Sequence, residues 1–318
     1  MSKDFAKLWA RYGTVVILAV LVAVVSVVIP QYFLTGSNAV QILLQSSITI
    51  LLGLCELFAI LTSGIDLSVG SVIALTGMAT AMMMTRGVSV FLSILIGGAG
   101  LGALLGLLNG SLIAKTGIPP FIVTLGNMSI YRGLTLIVSD GRPVYGLPTA
   151  FNRWVAGYLG PVPIPVIISL GCAVAVWFVL SRTRFGRNVY AVGGNPRAAW
   201  LSGIPVAKTL IACYALSGLL AGIGGVVITA RLASADPLAG VGWESQGIAA
   251  TVIGGTSFFG GEGGVFGTVM GAVIMGVIVN ALNLLNIQSY YQQVVTGIVI
   301  ILAVILNQSL QKRSLDSK

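Results

Sequence analysis

The sequence predicts an all-α polytopic membrane protein, and three observations carry that prediction. Of its 318 residues, 56% are hydrophobic and only 8% are charged, against about 25% charged in soluble globular chains. Apolar stretches of about 17–25 residues, each long enough to cross a bilayer, recur along the whole chain. Runs such as TVVILAVLVAVVSVVI lack the two-residue alternation of a barrel strand, so the backbone amides must be satisfied inside helices. The net charge of +9 comes from basic residues between the apolar runs, where they orient a chain in lipid. It does not form a nucleic-acid patch.

The first run, 13–30, follows MSKDFAKLWARYG. It is long and no small-residue cleavage site follows it, so it is expected as a retained span rather than a signal peptide. Further spans are expected at 39–61, 69–85, 88–113, 119–138, 163–180, 206–230, 245–259, 264–285 and 290–306, about ten in all. Those at 69–85 and 245–259 are short and rich in Gly, Ser and Thr.

An even count puts both termini on one side. With them inside, Lys3, Lys7, Arg11, Lys115, Arg182, Arg184, Arg187, Arg197, Lys208, Lys312, Arg313 and Lys318 fall inside. Arg86, Arg142, Arg153 and Arg231 fall outside, and Arg132 lies within a span. Twelve against four is the bias of a chain with cytoplasmic termini, a cytoplasmic loop at about 181–208 and a periplasmic loop at about 139–162. No linker divides residues 1–318, which read as a single transmembrane domain.

Gly98, Gly102, Gly106 and Gly110 recur every four residues, and Gly218 with Gly222 and Gly267 with Gly271 repeat the spacing. Such stripes let membrane helices approach closely. Cys55, Cys172 and Cys213 sit in apolar runs without metal-ligand spacing and read as small core residues. Histidine is absent, which removes the usual general base.

Three segments stand out. In AILTSGIDLSVGSVIAL, residues 59–75, Asp66 and Glu56 are the only acids between Asp4 and Asp140, and an acid at membrane depth is costly. Asp66 or Ser68 can cap a following helix after a flexible Gly64. Alternatively, the polar break lines a translocation path, or Asp66 and Glu56 carry protons in an ion-coupled transporter. TVIGGTSFFGGEGGVFGTVMG, with Gly254, Thr256 and Ser257, echoes the segment in the second half, the paired pattern of a transporter's path.

Within 181–208, NPRAAWLSG reads as a complete short helix: Asn195 as N-cap, Pro196 in the first turn, Gly203 after the end. Ala198, Ala199 and Ser202 give it a small-residue surface, and Trp200 suits the membrane interface. It is expected either to tie two spans together or to dock a cytoplasmic partner. In the loop 139–162, Tyr145, Phe151, Trp154 and Tyr158 suit a membrane-surface flap. No G-x-x-x-x-G-K-[ST], H-E-x-x-H or nucleophile elbow occurs, so the chain is expected to be non-enzymatic and to bind no nucleotide through a P-loop.

LTSGIDLSVGS, GRNVYAVGGNPRAAWLSGI, GIAATVIGGTSFFGGEGGVFGT and ALNLLNIQSYYQQVVTGIVIILAV, in this order, resemble the permease subunit of bacterial ribose-type sugar ABC importers. The resemblance runs over nearly the whole chain. It implies an inner-membrane permease working as a homodimer or related heterodimer. It also implies cytoplasmic ATPase subunits that bind the ATP, and a periplasmic protein that delivers a ribose-like pentose or related monosaccharide. The ATPase-coupling helix would fall on Asn195–Gly203. Ribose, xylose, galactose, allose and autoinducer importers share these motifs, and Glu56 departs from the family's uncharged residue at that place.

Overall fold

The long apolar runs fold into helices, several of them bounded by proline, glycine or a hydroxyl cap. The structure, a computed structural model, describes residues 3–315; of the basic residues counted above, Lys318 lies outside them. α1 (Lys3–Val28) stops just before Pro30, which starts the single turn α2 (Pro30–Phe33). Thr35 then caps α3 (Gly36–Leu61) by accepting from the Asn38 amide at 3.2 Å. α4 (Val69–Thr85) follows a break at 62–68. The next span is composite: a turn α5 (Val90–Leu92), a π-helix over Ser93–Gly100, and α6 (Leu101–Thr116), which ends at Gly117 with φ +70°.

α7 (Pro120–Ser139) and α9 (Ile164–Arg182) both begin with proline in the first turn. Between them lie the short α8 (Thr149–Ala156) and a two-stranded hairpin, β1 (Tyr158–Leu159) with β2 (Val162–Pro163). α10 (Arg184–Gly194) and α11 (Pro196–Leu201) precede the long α12 (Val206–Leu232). The chain closes with α13 (Trp243–Ile253), α14 (Val265–Leu284) and α15 (Ser289–Leu315).

By length and composition, six helical stretches are sufficient to cross a membrane: 36–61, 90–116, 120–139, 164–182, 206–232 and 265–284. Gly13–Val28, Val69–Thr85 and Ser289–Leu302 are apolar but shorter. The expected span at 245–259 is corrected. α13 stops at Ile253 after 11 residues, about 16 Å of helix against a hydrocarbon core of about 30 Å. The preceding stretch cannot lengthen it, because it carries Pro237 and two glycines at positive φ, Gly240 at +73° and Gly242 at +79°.

That stretch, 233–242, instead runs non-helically beside α4 until Gly240 lies against Gly70 in the first turn of α4. Unwound backbone at membrane depth needs donors. Arg132 on α7 supplies them, giving Nη1 to the carbonyls of Pro237 at 2.6 Å and Ala239 at 2.9 Å.

α3 and α12 form the centre, with α3 buried continuously from Ser46 to Leu61. The glycine stripes act as expected. A Cβ at Gly102 would strike the Gly218 carbonyl and stand 2.8 Å from the Gly222 Cα, and one at Gly106 would strike the Tyr214 carbonyl. α6 and α12 therefore touch backbone to backbone. Gly267 and Gly271 meet Gly254 and Ala250 in the same way, seating α14 on α13. The three cysteines are free, with Cys55 and Cys213 buried.

Two end faces result. One carries the ends at 62–64, 182–205 and 254–264; the other carries α8, the hairpin and 233–236, joined by an antiparallel bridge between Val144 and Ala235. Two further expectations change. The loop 181–208 contains α10 as well as the expected short helix. In 139–162, Tyr145, Trp154 and Tyr158 are exposed as a flap requires, but Phe151 is fully buried. Phe151 and Val155, four apart on α8, form that helix's inward face.

Candidate functional site

Asp66 sits in the break between α3 and α4, 1% exposed. Its Oδ1 accepts from the Ser68 amide at 3.1 Å and the Ser68 hydroxyl at 2.6 Å, and its Oδ2 from the Ser217 hydroxyl on α12 at 2.9 Å. Asn109 on α6 donates Nδ2 to the Ser68 hydroxyl at 2.8 Å and lies 3.5 Å from Asp66 Oδ1. The Asn109 carbonyl oxygen in turn accepts from Asn127 at 2.6 Å and lies 3.0 Å from the Tyr131 hydroxyl, both on α7. Glu56 on α3 completes the set, its Oε2 accepting the Asp66 amide at 3.3 Å. The break is thus tied to α12 and α6 through the Asp66 carboxyl, to α7 through Asn109, and to α3 through the Asp66 amide on Glu56.

The cap expectation is modified. Ser68 occupies the N-cap position of α4 without a side-chain cap bond; the acceptor is Asp66, closing an Asx-type turn on the Ser68 amide. No cation neutralises the carboxylate: among the described residues the ion pair is Arg142–Asp140, at 3.8 Å and exposed. Donors surround the Asp66 carboxyl instead, the arrangement that makes a buried polar group tolerable. Gly64 is required on steric grounds, since a Cβ there would strike the Tyr214 hydroxyl and stand 3.1 Å from the Pro120 ring. The network lies inside the packed chain, with Ser68, Asn109 and Ser217 at 0% exposure.

The second break does not join that network. Gly254 ends α13, Thr256 and Ser257 are buried, and the Ser257 amide donates to the Glu262 carbonyl at 2.9 Å, closing a tight loop. The two breaks meet elsewhere, at the face. The Gly261 amide donates to the Leu61 carbonyl at 3.0 Å, and Ser63 Oγ reaches the Phe259 carbonyl at 2.8 Å.

The short helix in 195–203 forms as its residues dictate. Asn195 Oδ1 accepts the Ala198 amide at 2.9 Å, Pro196 is the first helical residue, and Gly203 follows the end at φ +80°. Ser202 turns its hydroxyl back onto the Ala198 carbonyl at 2.9 Å. The alanines, however, do not share a surface. Ala199 is buried against the chain, whereas Ala198, Trp200 and Leu201 are exposed and Arg197 lies 4.9 Å over the Trp200 ring.

Sequence reasoning missed Asn109, Asn127, Tyr131 and Ser217. The available signal was an asparagine in an otherwise apolar span, as in LLNGSL, since such a group requires a partner in lipid. Nothing in sequence separation tied it to Asp66.

Residues 38–304 match the family described as branched-chain amino acid transport system / permease component. The chain belongs to this permease family. It is 50% identical to the D-allose transport system permease protein of Escherichia coli K12, over 97% of this chain and 95% of the relative. It is 44% identical to the ribose import permease protein of Bacillus subtilis 168, over 94% and 92%. A third relative, the L-arabinose transport system permease protein of E. coli K12, is 38% identical over 98% and 94%. No solved structure matches the chain. The permease is a multi-pass protein of the inner membrane and a sugar-transport component of the ABC class.

Proposed function

We propose that this permease passes a small aldose through the inner membrane, driven by a separate ATPase that docks on α11 and fed by a periplasmic binding protein. The chain works beside a second permease, the same or closely related. Its ten membrane segments include the half-length α13, and both termini lie in the cytoplasm. The observation that supports this reading is α11 itself. It is a capped turn on the face that carries Lys115, Arg182, Arg184, Arg187, Arg197 and Lys208, and it presents Ala198, Trp200 and Leu201 to solvent while Ala199 packs inward. D-Allose is the first sugar to test, because the relative named for it is 50% identical.

Vesicles holding the permease, its ATPase and its binding protein are expected to accumulate D-allose, D-ribose or L-arabinose only with ATP inside the cytoplasmic compartment. Ala198→Glu should leave membrane insertion intact while releasing the ATPase in a pull-down or uncoupling hydrolysis from uptake. Normal capture and uptake in that variant would reduce α11 to an interfacial tether. Ala199→Glu, by contrast, places a charge among buried atoms and should lower stability.

Orientation is tested with Cys55, Cys172 and Cys213 replaced. A cysteine at Arg187 should be shielded from an impermeant maleimide in intact cells, and one at Leu159 should react. Labelling at position 187 from outside would reverse the assignment.

A further inference from the structure

α10, which the sequence concealed, joins the docking helix to both breaks at once. Its last turn carries Gly193, whose carbonyl accepts Ser63 Oγ at 3.0 Å, the same hydroxyl that reaches the Phe259 carbonyl at 2.8 Å. A Cβ on Gly193 would strike the Leu61 carbonyl and stand 2.6 Å from the Gly261 amide nitrogen. Those two atoms are the hydrogen-bonded pair that ties the breaks together at 3.0 Å. One turn earlier, Tyr190 donates its hydroxyl to the Gly263 carbonyl at 3.0 Å. Ser63 holds this place in a left-handed conformation, φ +61°, uncommon for a residue with a side chain.

We infer that Ser63, Gly193 and Tyr190 are positioning residues of the transport cycle: they make α10 a rigid key that moves both membrane breaks when α11 is displaced. The inference rests on α11 being the ATPase dock. Asn195 ends α10 and caps α11, so only Gly194, itself the last helical residue of α10, separates the dock from the key. Beyond the key, the first break continues through Gly64 to Asp66 and its network, and the second reaches α13 and α14 through Gly254. A displacement at α11 therefore arrives at the cytoplasmic ends of α3, α4, α13 and α14 together. The Gly193 contact with Leu61 and Gly261 is backbone against backbone, which transmits displacement without side-chain slack, and the Ser63 and Tyr190 hydroxyls pin the neighbouring carbonyls.

The complex of permease, ATPase and binding protein is reconstituted with D-allose, D-ribose and L-arabinose as probe sugars, and sugar imported per ATP hydrolysed is the readout. Ser63→Ala and Tyr190→Phe remove one hydroxyl each without adding bulk. Each is expected to keep ATPase capture and hydrolysis while lowering the sugar-to-ATP ratio by about 2- to 30-fold, the range of mutational effects on coupling. Gly193→Ala should lower it further. Gly194→Ala, one residue on with nothing within 4 Å of its added Cβ, should keep the ratio of the parent. Unchanged ratios in both Ser63→Ala and Tyr190→Phe would overturn the inference, as would equal losses in Gly193→Ala and Gly194→Ala. If the parent permease captures no ATPase, the functional proposal itself fails, which is a different result.

Discussion

Asp66→Leu is expected to leave little folded permease, whereas Asp66→Asn should remain close to the parent. Leucine removes the acceptor of the buried Ser68 amide and of the Ser68 and Ser217 hydroxyls. An orphaned buried amide costs about 1–3 kcal/mol. The hydroxyls add less, because they can rotate towards other acceptors. Asparagine keeps one oxygen for the Ser68 amide, and its NH2 can donate to Ser217 once that hydroxyl reverses. Thermal unfolding of the detergent-solubilised permease, followed by ATP-driven uptake, separates the two variants. A proton-carrying Asp66 would give the opposite order. Loss of uptake in a well-folded Asp66→Asn protein, together with collapse of parental uptake by a protonophore at constant ATP, would establish ion coupling in place of the ATPase-driven reading.

Gly106→Val should be as damaging for a reason unrelated to polarity. The added Cβ would meet the Tyr214 carbonyl and stand 3.0 Å from the Gly218 Cα. Those are backbone atoms of α12 and cannot rotate away, so relief requires α6 and α12 to separate along their shared seam. Overpacking costs about 1–3 kcal/mol where side chains can adjust; here the loss should reach or exceed the upper end of that range. Gly133→Val on α7 is the matched control, with nothing within 4 Å of its Cβ. Equal thermal midpoints for the two variants would mean that the α6–α12 contact contributes nothing to stability.

Much of the architecture was legible because lipid restricts the alternatives. Apolar length sets helix length, proline and glycine punctuate, and small-residue spacing marks close contact. Those rules located helices at nine of the expected positions, six of them in stretches long and apolar enough to cross a membrane, and the α6–α12 seam. They failed at 245–259, where average apolarity concealed a half-length helix preceded by unwound backbone. They also failed at α10, which lies within the expected loop 181–208. Phe151 was misjudged because an aromatic residue serves equally well in a flap or a core, and only the facing helices choose.

The sequence by itself determined the membrane class, the α11 cap and stop, and the presence of a lone acid between glycines at Asp66, because each depends on local chemistry. Only the tertiary structure decided what Asp66 answers to. Beyond the adjacent Ser68, its partners Glu56, Asn109 and Ser217 come from separate helices, up to 151 positions away, and a hydrogen bond is specified by distance in space rather than along the chain. The same holds for Ser63, Gly193 and Gly261. Their meeting depends on three chain ends reaching one face of the bundle, and that is a property of the packing of α3, α10 and α14.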